Sequence, residues 1–145
     1  MEKGHFYGRE EARAVRAETG LKGISSCEDL YEAMLNVWCA ETCAPRMRGD
    51  WSEDNPTLGQ CSITSFLIQD IFGGEVYGVP LPEGGYHCFN KVGDHVFDIT
   101  SEQFGDVVLS YEDRPLQTRE EHFADADKKQ RYKLLKSLLY ERYSV

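Results

Sequence analysis

The stretch Asn55-Pro56-Thr57-Leu58-Gly59-Gln60-Cys61-Ser62-Ile63-Thr64-Ser65-Phe66-Leu67-Ile68-Gln69-Asp70-Ile71-Phe72-Gly73-Gly74 opens as a polar turn and becomes an apolar run that stops at two glycines. Pro56 and Gly59 mark a loop. Residues 61–72 read as a helix, with Gly73 supplying the left-handed residue just past its end. Ile63, Phe66, Leu67, Ile68, Ile71 and Phe72 leave this helix apolar on most sides, so it belongs inside the protein. Cys61 therefore stands on the first turn of a buried helix, at the mouth of a glycine loop. Unpaired N–H groups and the positive dipole end there favour a thiolate.

The rest of the composition bounds the reading. Hydrophobic residues make up 41% and aromatics 12%, a globular balance, and 145 residues fit a single domain, 1–145, with a core of its own. The net charge of −9 argues against nucleic acid or an anionic membrane surface as a partner, since both require a basic face. The first residues lack the apolar centre of a signal peptide, and no apolar run approaches a membrane span. The cysteines, five in all, are Cys27, Cys39, Cys43, Cys61 and Cys88. An odd count without a secretory signal implies free thiols and a cytoplasmic location.

Residues 8–18 read as a polar surface helix, and residues 1–24 as a peripheral N-terminal extension. Ser25 with Glu28, or Ser26 with Asp29, offers a capping box. Behind it Leu30, Met34, Leu35, Val37 and Trp38 recur at helical spacing, which predicts an amphipathic helix running to about Cys43 and ended by Pro45. After Gly74 the period changes: 75–79 reads as a strand, and 86–92 and 95–100 flank Gly93-Asp94 as a hairpin. Val107, Val108 and Leu109 suggest a further short strand. Thr118 with Glu121 offers a weaker cap. Residues 127–143 carry Tyr132, Leu135, Leu138, Leu139 and Tyr143 as a closing helix. This order predicts an α+β fold.

The hairpin brings chemistry together. With Gly93-Asp94 as a two-residue turn, Val92 pairs with His95, Phe89 with Asp98 and His87 with Thr100. Opposed residues share a face, so His87, Phe89, Asp98 and Thr100 project together. A nucleophilic thiol needs a base, and the base needs an orienting group. Cys61, His87 and Asp98 supply nucleophile, base and orienter in the chain order of papain-like enzymes. The backbone N–H of Cys61 and one further donor, Gln60 or Asn55, would hold an oxyanion; the sequence does not choose between them. Trp51 reads as a packing residue or as a wall of the cleft.

The run Trp51…Asn55-Pro56…Gly59-Gln60-Cys61…Phe72-Gly73-Gly74…His87…Asn90…Gly93…Asp98-Ile99-Thr100…Gln103-Phe104, with Arg131-Tyr132-Lys133-Leu134-Leu135 in the closing helix, resembles the YunG-like family of small bacterial proteins. The resemblance covers roughly residue 51 to the C-terminus. It implies a papain-like cysteine fold akin to NlpC-type and transglutaminase-like hydrolases, and it supplies no substrate. Cys88 stands where the family leads one to expect an aromatic residue, a departure that leaves the proposed triad intact.

Each feature also has a plainer reading. A lone cysteine in an apolar helix is usually a small core residue, and a lone buried histidine is usually a satisfied one. Strand parity turns Asn90 away from His87, which points to a structural role. His5, His95 and His122 have no evident partner in the sequence and read as surface residues. Cys39 and Cys43, one turn apart, lack a second pair of ligands at zinc spacing, so neither metal nor cofactor is expected. The sequence thus predicts a cysteine hydrolase or acyltransferase acting on an amide, isopeptide or thioester carbonyl of a peptide or small molecule. Its rivals are a binding module with an inert Cys61 and a thiol-redox or metal protein built on Cys39 and Cys43.

Overall fold

The computed structural model describes residues 4–145 and shows an α+β architecture. Helices α1 (Arg9–Ala14), α2 (Cys27–Met34) and α3 (Cys61–Phe72) come first, then strands β1 (Glu75–Pro80), β2 (Tyr86–Val92), β3 (His95–Phe97) and β4 (Leu116–Gln117). Helices α4 (Arg119–His122) and α5 (Ala126–Tyr143) close the chain. The strands form one antiparallel sheet in the order β3-β2-β1-β4. Helix α3 packs between β2 and α5, which explains why it is apolar on most sides: Ile63, Phe66, Leu67 and Ile68 are all fully buried.

Several local choices follow directly from the sequence. Of the two capping boxes offered, the Ser26–Asp29 pair forms: the Asp29 N–H donates to Ser26 Oγ at 3.1 Å, and the Ser26 N–H donates to Asp29 Oδ2 at 3.0 Å. Thr118 caps α4 by accepting from the Glu121 N–H. Gly93 takes φ +61°, the first position of a type II′ hairpin turn. The β2–β3 register is Val92↔His95, Lys91↔Val96 and Asn90↔Phe97.

Four expectations need correction. Helix α2 ends at Met34, well short of Cys43. Beyond it the chain is carried by turns in which the Val37 and Trp38 N–H groups both donate to the Met34 carbonyl. Val37 and Trp38 thus still reach the core, and the apolar period outlasts the helix. Strand β3 stops at Phe97, because Asp98 leaves the hairpin ladder to bridge Tyr7, whose carbonyl accepts the Asp98 N–H at 2.9 Å. Residues 107–109 form no strand: one sheet edge is occupied by β4 and the other is met by Tyr7, so Val107 and Val108 lie in a loop, exposed. Finally, the N-terminal segment is not peripheral. Phe6, Ala12, Val15, Leu21 and Ile24 all belong to the main core, and Phe6 packs on Tyr31 with ring centroids 4.6 Å apart.

Candidate active site

Cys61 is the first residue of α3, where amide N–H groups lack intrahelical acceptors and the dipole is positive. The loop before it is held by Gly59, whose carbonyl accepts the Ala44 N–H at 3.0 Å and whose N–H makes a long 3.5 Å bond to Gln103 Oε1. Cys61 is partly exposed and lines a cleft of about 670 Å³ together with His87, Gln103 and Phe104. The cleft carries charges of both signs, Asp125 and Asp127 beside Lys128 and Arg131, and apolar surface from Leu81 and Met47.

His87 is 1% exposed and comes from β2. Its Nε2–H donates to Asp98 Oδ2 at 2.6 Å. The Phe104 ring stands edge-on to the imidazole at 4.7 Å. Asp98 is equally buried, and its remaining hydrogen-bonding capacity is filled. Tyr111 O–H donates to Oδ2 at 2.7 Å, and the Thr100 N–H and hydroxyl each donate to Oδ1 at 3.2 Å. A buried carboxylate requires such partners. With Nε2 committed to Asp98, Nδ1 is the ring nitrogen left over, and His87 and Cys61 line the same cleft and influence each other's charge.

The electrostatics follow from these contacts. The Cys61 thiol is held well below its usual range, first by the neighbouring Cys88 thiol. Burial opposes this, and the charge and hydrogen bond of His87 and the Cys88 N–H reinforce it. Burial pulls His87 down, but the charges of Asp98 and Cys61 outweigh it and raise the imidazole to about 10. Burial next to the Asp98 carboxylate pushes the Tyr111 phenol upward, so Tyr111 stays a donor. Cys27 and Cys43 are raised by burial. Cys88 is raised well above its usual range by the neighbouring Cys61 and by burial.

The structure therefore brings Cys61, His87 and Asp98 together, while the other sequence candidates lie elsewhere. Gln60 is fully buried, and its amide N–H donates to the Cys39 carbonyl at 3.1 Å, away from the cleft. Asn55 closes the turn from Ser52, and its side chain does not line the cleft. Neither side chain lines the cleft; the unpaired backbone N–H groups at the start of α3 are the donors nearest to Cys61 there. Trp51 donates through Nε1 to the Pro56 carbonyl and lines a separate depression with Leu35 and Trp38, so it is a packing residue and not a cleft wall. Asn90 is structural, donating to the Ser65 carbonyl at 2.9 Å. His122, read from the sequence as a surface residue, is half-buried between Gln117 Oε1 and Lys128 Nζ, 3.9 Å from Cys88 Sγ. Cys88 likewise lies close to Cys61, since Ser62 Oγ is 3.6 Å from Cys88 Sγ and 3.8 Å from Cys61 Sγ. No group of three or more metal-ligating side chains occurs among the described residues, and no helix among them is long and apolar enough to cross a membrane.

Fold and site together define a class, a small α+β protein that presents a thiol and an imidazole at one cleft, with a buried carboxylate behind the imidazole. The YunG protein family model matches residues 26–144. The chain is also 39% identical over 80 residues to the uncharacterized protein YunG of Bacillus subtilis (strain 168), a stretch covering 55% of this chain and 67% of that protein. The chain belongs to the YunG family. No solved structure matches it.

Proposed function

We propose that this YunG-family protein is a cysteine hydrolase or acyltransferase with a papain-like arrangement of Cys61, His87 and Asp98. One observation carries the reading: His87 is buried, its Nε2 is fixed on Asp98 at 2.6 Å, and it lines one cleft with a partly exposed thiol at a helix N-terminus. A buried histidine kept only for packing has no need of a thiol on one side and a four-bonded carboxylate on the other.

In this reading the resting state is a Cys61 thiolate beside a His87 imidazolium. The thiolate sulfur attacks the carbonyl carbon of the substrate, and the carbonyl electrons move onto oxygen as the C–S bond forms. The oxyanion falls at the first turn of α3, where backbone N–H groups receive it. His87 Nδ1–H then gives its proton to the leaving amine or thiolate as that bond breaks, leaving a thioester on Cys61. Water or another nucleophile attacks the thioester while His87 takes the incoming proton, and the thiolate is released. Asp98 holds the imidazole in one tautomer throughout. Hydrolysis, deamidation and transfer share this thioester and differ in what leaves and what attacks. The cleft, with both charges and apolar walls, suits a peptide or a small acyl compound.

The test is intact-protein mass spectrometry after incubation with a panel of activated acyl donors. An adduct on Cys61 that disappears in Cys61→Ala and accumulates in His87→Ala supports the reading. If Cys61 forms no adduct and alkylates no faster than the buried cysteines, the inert binding module is the better account.

A further inference from the structure

The second thiol at the site has a use that acyl transfer does not give it. Cys88 follows His87 on β2, so strand parity turns it the opposite way, toward α3, where it meets Ser62. Ser62 Oγ lies 3.8 Å from Cys61 Sγ and 3.6 Å from Cys88 Sγ, so one hydroxyl bridges the two thiols, and each thiol's proton affinity responds to the other. Cys61 is partly exposed at the cleft, whereas Cys88 is fully buried behind it. An accessible thiol backed by a second, sheltered thiol is the arrangement of a redox-active pair, in which one sulfur is oxidised and the other resolves it.

We propose that Cys61 and Cys88 form a reversible intramolecular disulfide when the protein meets a hydroperoxide, so that Cys61 is a peroxide-oxidised site with Cys88 as its resolving thiol. The Cys61 thiolate sulfur attacks one peroxide oxygen and the O–O bond breaks. The departing oxygen takes a proton from the His87 imidazolium and leaves as water or an alcohol, and Cys61 becomes a sulfenic acid. The sulfur has lost two electrons and the peroxide has gained them. Cys88 sulfur then attacks the sulfenic sulfur, the S–O bond breaks, and the hydroxyl leaves as water with the Cys88 proton. The disulfide removes the nucleophile from acyl chemistry and protects it from irreversible oxidation, and an external dithiol restores both thiols.

The local structure favours Cys88 over the other cysteines as resolver. Cys27 lies in the core at the start of α2. Cys43 Sγ is turned against Gly59, on the loop preceding α3. Helix α3 and β2 pack directly on each other, so side-chain rotation at Cys61 and Cys88 carries most of the closure. His122 sits beside Cys88 with both ring nitrogens engaged, and burial and then the Lys128 charge hold it down at about 4. It therefore adds no positive charge beside the reduced Cys88 thiol.

This inference shares with the proposed function only the reactivity of Cys61, and its test separates the two. Fully reduced protein is treated with a small excess of hydrogen peroxide, quenched with an alkylating agent, and digested without reductant. The expected result is a peptide pair joined through Cys61 and Cys88, an intact mass lower by two hydrogens, and complete loss of Cys61 labelling that dithiothreitol restores. In Cys88→Ser, with its fold checked by circular dichroism, Cys61 should give a dimedone-trapped sulfenic acid and then pass to higher oxides that dithiothreitol does not reverse. A disulfide to Cys39 or Cys43, an intermolecular dimer, or wild-type Cys61 oxidised with no linked peptide overturns the proposal. Rapid acyl or alkyl labelling of Cys61 with no disulfide would sink this inference alone, whereas a Cys61–Cys88 disulfide without acyl adducts would sink only the acyl-transfer reading.

Discussion

Asp98 accepts hydrogen bonds from His87, Tyr111 and twice from Thr100 while buried from solvent. That set holds the carboxylate in place against His87, whose proton affinity is raised by it and by Cys61. Cys61 should consequently alkylate with iodoacetamide at mildly acidic pH, where the raised Cys27, Cys43 and Cys88 do not. In His87→Ala the labelling profile of Cys61 should move to higher pH, because the helix dipole and the neighbouring Cys88 remain but the cation is gone. An unmoved profile would remove His87 from the assignment. Tyr111→Phe deletes one charge-assisted bond to Asp98, and should cost about 1.5–3 kcal/mol of stability by urea unfolding. Stability against pH gives a further check. His87 has its proton affinity raised on folding, so alone it contributes stability that is complete below pH 6.5 and lost as pH rises through about 10. Cys61 works in the opposite sense: its depressed pKa contributes stability present above 9.0 and lost as pH falls toward the folded value. Between 6.5 and 9.0 the two slopes offset, and above 9.0 the His87 loss is joined by that of the raised thiols Cys27, Cys43 and Cys88. Urea midpoints of the wild type should hold level across that window and then fall, whereas in Cys61→Ser the fall should begin near 6.5. The His87–Asp98 partnership was legible because a glycine turn pins register and strand parity does the rest. Tyr111 was not, since it arrives on a loop without periodicity, and neither was the approach of Cys61 and Cys88 to Ser62, which depends on how α3 seats over the end of β2.

Helix α3 is placed by the loop that feeds it as much as by its own apolar faces. Gly59 holds φ +70°, and a Cβ there would stand 2.6 Å from Cys43 Sγ and 2.9 Å from the Ala44 nitrogen. The second contact is backbone, so no side-chain rotation relieves it. Gly59→Ala should therefore lower stability by about 1–3 kcal/mol, measured as a shift in urea midpoint. It should also slow Cys61 labelling, because the start of α3 must move to make room. Stability lost without any change in labelling would show that the loop supports the fold but does not aim the thiol. The elements themselves divide by how much of their signal is local. The bounds of α3, β2 and α5 agree with the sequence reading to within a residue, since each is a long periodic run between strong stops. Helix α2 and strand β3 are shorter than their patterns suggest. Val37 and Trp38 keep the helical period through turns, and Asp98 exchanges its hairpin partner for Tyr7, a choice made ninety residues away in the chain. Strand β4 is only Leu116–Gln117 and carries no pattern of its own.

At the scale of the whole molecule, the N-terminal segment ties the core to the site. Phe6 is buried against Tyr31, and the next residue, Tyr7, accepts the Asp98 N–H through its carbonyl, donates its own N–H to Ser101 Oγ at 2.8 Å, and stacks on Tyr111 at 4.0 Å. Tyr111 in turn donates to Asp98. The first described residues thus brace the carboxylate from two directions, through its backbone and through its phenol donor, although the family match begins only at Ser26. Alternating composition hid this, because Gly8-Arg9-Glu10-Glu11 dominates the segment and its core contribution rests on scattered single residues, Phe6, Ala12 and Val15. Phe6→Ala removes a ring from a packed site and should destabilise the protein by about 3–5 kcal/mol, a large share of the 5–15 kcal/mol available to a domain of this kind. The loss should reach the site as well. With Phe6 gone, Tyr7 loses its anchor, the Tyr7–Tyr111 stack loosens, and Asp98 is held less firmly against His87. Thermal unfolding and Cys61 labelling rate, measured together below the new midpoint, separate the two effects. A lower midpoint with labelling slowed in the still-folded protein fits a segment that braces the site, and a lower midpoint with unchanged labelling means that residues 4–8 contribute packing alone.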